Sequence, residues 1–110
     1  MRIIEKEMLE AIYQWKNWKK DNTKVEIYDN ESDLKVYLYN NLIAKIKKHT
    51  HALYLYDGGW KSVTTKSRLN ALLYGRPQHV FQKDFEWFVS DSIKNEIVPF
   101  YRINELNLLF

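Results

Sequence analysis

A chain of 110 residues, 45% hydrophobic and 28% charged, is long enough to bury one core and reads as a single α+β domain over residues 1–110. It has no cysteine, which excludes disulfides, thiol nucleophiles and thiolate metal sites, and no apolar run approaches the roughly 18–20 residues of a membrane span. The formal charge of +3 accommodates an anionic partner without requiring one, and an aromatic share of 15% leaves room for binding surface beyond the needs of a core.

Taken in chain order, Ile4, Met8, Ile12 and Trp15 make one apolar stripe, which predicts a helix over 4–15. Glu5, Glu7 and Glu10 lie early in it and Lys16 at its end, as the helix dipole favours. The start, residues 1–7, carries charges of both signs and lacks the apolar stretch of a secretory signal, so the expected location is the cytoplasm. Lys19, Lys20, Asp21 and Asn22 break the helical pattern. Alternating strands follow at 24–28, 34–39, 42–47 and 52–56. They are joined by a polar turn at 29–33, a two-residue turn at Asn40-Asn41 and a turn at 48–51, and the last ends at Asp57-Gly58-Gly59. A second helix is predicted over 65–74, with Thr64 or Thr65 as N-cap, Leu69, Leu72 and Leu73 as its buried stripe, and Gly75 and Pro77 as its stop. Strands at 79–82 and 86–89 flank a short turn at Lys83-Asp84-Phe85. A last strand over 97–103 takes an edge position because of Pro99, and the apolar tail 106–110 either docks on the body or meets a partner. The predicted architecture is an antiparallel sheet of five to seven strands with two helices packed on one face.

Four segments stand out together: Tyr37-Leu38-Tyr39-Asn40-Asn41-Leu42-Ile43-Ala44, Tyr56-Asp57-Gly58-Gly59-Trp60, residues 64–73 and residues 82–89. Over about residues 4–101 the chain resembles a group of small bacteriophage-encoded accessory proteins with no assigned chemistry. The resemblance implies a phage or prophage setting and brings no catalytic residues. It implies a class of proteins that bind host machinery, nucleic acid or the nucleotide signals of host defence.

The segment 57–68 is the strongest candidate site. Gly58 and Gly59 permit close backbone approach, and Trp60 is able to stack on a base. Thr64 and Thr65, with the amides of a helix N-terminus, offer a phosphate cradle, while Lys61, Lys66 and Arg68 supply charge and Arg76 is a helper. The glycine spacing is not that of a P-loop. A well-capped helix with a solvated basic first turn and a core Trp60 is the competing reading. Lys66 and Arg68 at the positive end of a helix dipole are the local cost that a bound anion would offset. Trp15-Lys16-Asn17-Trp18-Lys19-Lys20 interleaves aromatic and basic residues, but the helix stripe and solvated lysines account for it equally. The aromatic hairpin Phe81, Phe85, Trp87 and Phe88, with the apolar tail, is the candidate interface for a protein partner or a homo-oligomer. The helix–strands–helix order is similar to a double-stranded RNA-binding domain, but strands after the second helix do not fit it.

Chemistry is harder to place. His49 and His51 are two ligands without a carboxylate or thiolate nearby, a poor metal site, and no serine has a base and an orienting group beside it. The expectation is therefore a binding protein and not an enzyme, without cofactor or metal. It is an antagonist of host defence in the host cytoplasm whose partner is a host protein or an anionic ligand, nucleotide or nucleic acid. A weak, sequence-tolerant nucleic-acid binder is the further alternative.

Overall fold

The computed structural model describes residues 1–100 and 103–110, with the backbone alone for 103–109. The elements are α1 (Ile3–Tyr13), β1 (Trp18–Lys20), β2 (Thr23–Glu26), β3 (Leu34–Leu38), β4 (Asn41–Ile46), β5 (Ala52–Tyr56), α2 (Val63–Leu72), β6 (Gln78–Lys83), β7 (Glu86–Asp91), β8 (Glu96–Pro99) and β9 (Ile103–Leu109). This is the expected α+β class. The strands divide, however, into an antiparallel six-stranded sheet, β1-β2-β3-β4-β5-β9, and an antiparallel three-stranded sheet, β6-β7-β8.

Two contacts explain the division. β9 occupies the edge of β5 that a strand after α2 would otherwise take. The free edge of β6 is blocked at its middle by Asn70 of α2, whose side chain donates to the Val80 carbonyl and accepts from the Val80 amide, each at 2.8 Å. At Val80, therefore, the edge has no backbone group left for another strand.

Alternation governs the large sheet. Leu34, Val36 and Leu38 of β3, and Leu53 and Leu55 of β5, point inward, while Lys35, Tyr37, Tyr54 and Tyr56 point outward. A bulge opposite Val36 and Tyr37 lets the consecutive residues Ile43 and Ala44 both be buried. α1 packs on β2 and α2, and α2 packs on β4 and β6, so both helices lie against the inward face. Val80, Trp87 and Val89 of the small sheet join the same core, where Phe100 meets the Trp87 ring edge-on at 5.6 Å.

Several boundaries differ from expectation. β1 lies where a break was predicted: the turn at Asp21-Asn22 folds Trp18–Lys20 onto β2, with Asp21 at φ 51°. The β3–β4 turn is Tyr39-Asn40, at φ 50° and 63°, one residue earlier than Asn40-Asn41. Inward-facing Leu38 pairs with Asn41, and that parity sets the turn. α2 starts at Val63 because Ser62 caps it, its Oγ accepting the Thr65 amide at 3.1 Å. The expected last strand becomes β8 and, separately, β9; residues 101 and 102, which it included, lie outside the described residues. The tail docks: the Phe110 amide donates to the His51 carbonyl at 3.0 Å and its ring stacks on Tyr13 at 5.5 Å. Among the described residues no helix is long and apolar enough to cross a membrane.

Candidate functional site

A pocket of about 530 Å³ opens between the β3–β4 tip and the approach to α2. Leu38, Tyr39, Asn41 and Ile43 form one wall; Asp57, Gly58, Trp60, Ser62, Thr64 and Thr65 form the other. The loop is fixed from below. Gly58 has φ +72°, and a Cβ there would lie 3.2 Å from Ile43 Cγ2, so both conformation and space require glycine. Asp57 is buried, its Oδ1 accepting the Gly59 amide at 2.7 Å, while the Trp60 amide donates to the Asp57 carbonyl at 3.2 Å. Among the described residues the second Asp57 oxygen takes no hydrogen bond. The loop pushes Trp60 outward to 75% exposure, and the left-handed turn does the same for Tyr39 at 67%. Trp60 is therefore a surface residue and not part of the core.

Of the residues singled out from sequence, Gly58, Trp60, Thr64 and Thr65 line this pocket, and Gly59 lines an adjoining hollow with Tyr37, Asn40 and Tyr56. Lys61 is exposed between Trp60 and Ser62. Lys66 turns toward β6, its ammonium 3.3 Å from Gln82 Oε1.

Arg68 does not belong to the site. The earlier start of α2 places it one turn inside the helix, where its side chain is 3% exposed. Its Nη1 donates to Glu5 Oε2 at 2.8 Å, Nε to Thr23 Oγ1 at 3.0 Å and Nη2 to Asn22 Oδ1 at 3.2 Å. Ser67 Oγ also donates to Glu5 Oε2, at 2.6 Å. Burial pushes the Glu5 carboxyl up, but the hydrogen bonds from Ser67, Arg68 and the Arg2 amide, with the Arg68 charge, outweigh it and hold the group below its ordinary range. Arg68 thus ties α2 to α1 and β2. Arg76 is also elsewhere: it donates to the Leu72 and Tyr74 carbonyls beyond the far end of α2 and lies 4.5 Å over the Phe110 ring.

The Thr65 half of the phosphate cradle is likewise committed internally. The Thr65 amide serves the cap, and its hydroxyl lies 2.9 Å from Ser62 Oγ and 3.3 Å from the Trp60 carbonyl. The charged group in the wall is a carboxylate. The arrangement suits a planar group that stacks and donates hydrogen bonds better than a phosphate buried at the helix end.

The candidate interface also divides. Trp87 is core, 1% exposed, because its strand parity turns it inward with Val89. Phe81 and Phe88 face outward, half-buried and stacked at 5.6 Å, and Phe85 is 90% exposed at the hairpin tip. Trp15 stacks on His51 at 5.7 Å beneath the Lys48 ammonium, and His49 lies 3.6 Å from Glu31 at the surface. Among the described residues no group of three His, Asp or Glu is placed to hold a metal ion.

The family model described as Kyanoviridae Gp96 protein matches residues 1–107. The chain belongs to the Kyanoviridae Gp96 family. It is a phage protein, as the resemblance implied, and the match covers both helices, the pocket and all of the small sheet. No curated protein and no solved structure matches it. Tyr39 and Asn41 lay outside the candidate site read from sequence, and Asp57 entered it only as the first residue of the segment. Asp57 looked like a strand stop, and the exposure of Tyr39 depends on a turn placed one residue away from the expected position.

Proposed function

We propose that this family member is an accessory binding protein without catalysis of its own, acting against host defence in the host cytoplasm by holding a nucleotide through its base in the Trp60 pocket. The observation that carries this reading is two exposed aromatic rings, Tyr39 and Trp60, bordering a pocket with a buried carboxylate in its wall. Exposed Trp and Tyr at a concave site are stacking platforms. The pocket volume falls in the range that nucleotide-sized ligands occupy.

Asp57 sets the preference. A carboxylate only accepts hydrogen bonds, and guanine is the common base that places a ring N–H and an amino group side by side. Asn41 and Thr64 line the same pocket and carry donors for the neighbouring base acceptor. The phosphate stays outside, toward exposed Lys61 and the positive formal charge. Titration calorimetry with the four nucleoside monophosphates tests the reading. Guanosine monophosphate binds tightest, Trp60→Ala weakens it by about 1–3 kcal/mol, and Asp57→Asn removes the preference for guanine. Absence of heat with every nucleotide would sink the proposal.

A second reading is favoured by the outward face of the small sheet, where Phe81, Phe88, Phe85 and Ile97 leave apolar surface uncovered. Such a face fits a host defence protein or a second copy of the chain. Sedimentation of wild type against Phe81→Asp separates the two: a dimer lost in the variant means a second copy, and a wild-type monomer leaves the host protein.

A further inference from the structure

We infer that the open face of the six-stranded sheet is a track for single-stranded nucleic acid. Both helices pack on the opposite face. The outward side chains of β2 to β5 are left half-buried or exposed, and two cross-strand rows order them. In the first row, Lys19 stands opposite Lys24, and Lys24 opposite Tyr37. In the second, Glu26 stands opposite Lys35, Lys35 opposite Lys45, and Lys45 opposite Tyr54.

Two features of these rows point to a polyanion. Directly opposed like charges destabilise an antiparallel pair, and this sheet has two such pairs, Lys19 with Lys24 and Lys35 with Lys45. Lys24 is relieved by Glu26 at 3.3 Å, but Lys19, Lys35 and Lys45 form no ion pair among the described residues. The tyrosine rings beneath Lys24 and Lys45 and the Glu26 opposite Lys35 return part of this cost, and a row of phosphates would relieve the rest.

The second feature is the coupling of charge to aromatic surface. The Lys24 ammonium lies 4.7 Å from the Tyr37 ring centroid, and that of Lys45 lies 4.9 Å from the Tyr54 centroid. The two units stand two strands apart, roughly 10 Å at ordinary strand spacing. A base that takes a ring displaces the ammonium onto the adjacent phosphate. Only an unpaired strand has base faces free for this, so the geometry selects single strands over duplex. The lysines meet backbone phosphates and the rings meet any base face, so recognition is sequence-tolerant. This inference rests on other residues than the pocket reading: Tyr37 lines the hollow that adjoins the pocket, but no lysine of either row lines the pocket or the hollow.

Fluorescence anisotropy with a labelled 12-nucleotide thymidine oligomer, alone and as a duplex, tests it across a salt series. The wild type binds the single strand, prefers it to duplex, and weakens steeply with salt. The triple variant Lys24→Ala, Lys35→Ala, Lys45→Ala binds at least tenfold more weakly, with the salt slope reduced by about 2, at about 0.7 per released phosphate contact. The pair Tyr37→Ala, Tyr54→Ala also loses at least tenfold but keeps the slope. Trp60→Ala binds as wild type does. Thermal melts establish that each variant is folded. The inference is overturned if the wild type ignores single strands, if it binds duplex as tightly, if folded lysine or tyrosine variants bind unchanged, or if Trp60→Ala alone abolishes binding.

Discussion

Glu5 and Arg68 meet at 2.8 Å with side chains 2% and 3% exposed, so removing either strands the other away from water. Arg68→Met is expected to destabilise the protein by about 3–5 kcal/mol, and the double change Glu5→Leu with Arg68→Met to recover most of the loss. Urea unfolding of the three proteins is the measurement. The same network makes stability depend on pH. Glu5 is held below its ordinary value of 4.5, so the unfolded state binds its proton more readily than the folded state. Its contribution is present above pH 4.5 and is lost as pH falls through the lower, folded value. Asp33 adds to this in the same direction: burial pushes its carboxyl up, and the Lys48 amide and the Lys47 ammonium more than offset it. Denaturation midpoints measured from pH 7 to pH 3 should therefore fall more steeply in wild type than in Glu5→Gln. None of this was legible in the sequence. Glu5 reads as an ordinary acid of a first helical turn, and its partner lies 63 positions away.

At the scale of elements, two turns carry opposite predictions. Gly58 holds the pocket loop against Ile43 in a left-handed conformation, so Gly58→Ala meets both strain and a 3.2 Å contact. It should lower stability by about 1–2 kcal/mol and shift the loop that carries Trp60, read as a change in Trp fluorescence. Phe85 is the reverse case, a bulky residue at φ 67° with its side chain in solvent. Phe85→Gly should raise the melting temperature, since about 1 kcal/mol of backbone strain is released and no packing is lost. If the melting temperature falls instead, the ring makes contacts that its exposure does not suggest. The sequence marked both places as turns, because Gly-Gly after an alternating run and Asp84 between two such runs are local signals. It misplaced the start of α2, because Ser62, Thr64 and Thr65 are all competent caps and only packing selects among them.

At the scale of the molecule, the sixth strand is the element that closes the large sheet. β9 runs along β5, and Phe110 is held by the His51 carbonyl, the Tyr13 ring and the Arg76 guanidinium. Deleting residues 103–110 should lower the melting temperature and leave β5 as an uncovered edge that promotes association. Calorimetry and light scattering of the shortened chain check both effects.

By itself the sequence determined the α+β class, both helices, the alternating strands, and Gly58, Trp60 and Thr64 as parts of one place, because periodicity, turn chemistry and nearness in the chain are local properties. The tertiary structure decided which charges are free and which rings are exposed. Arg68 and Trp87 went inside, while Tyr39, Trp60 and the lysine rows of the large sheet stayed out. Burial depends on which distant element lies opposite a residue, and Glu5, Phe100 and the cross-strand lysine pairs come together only when the chain is folded.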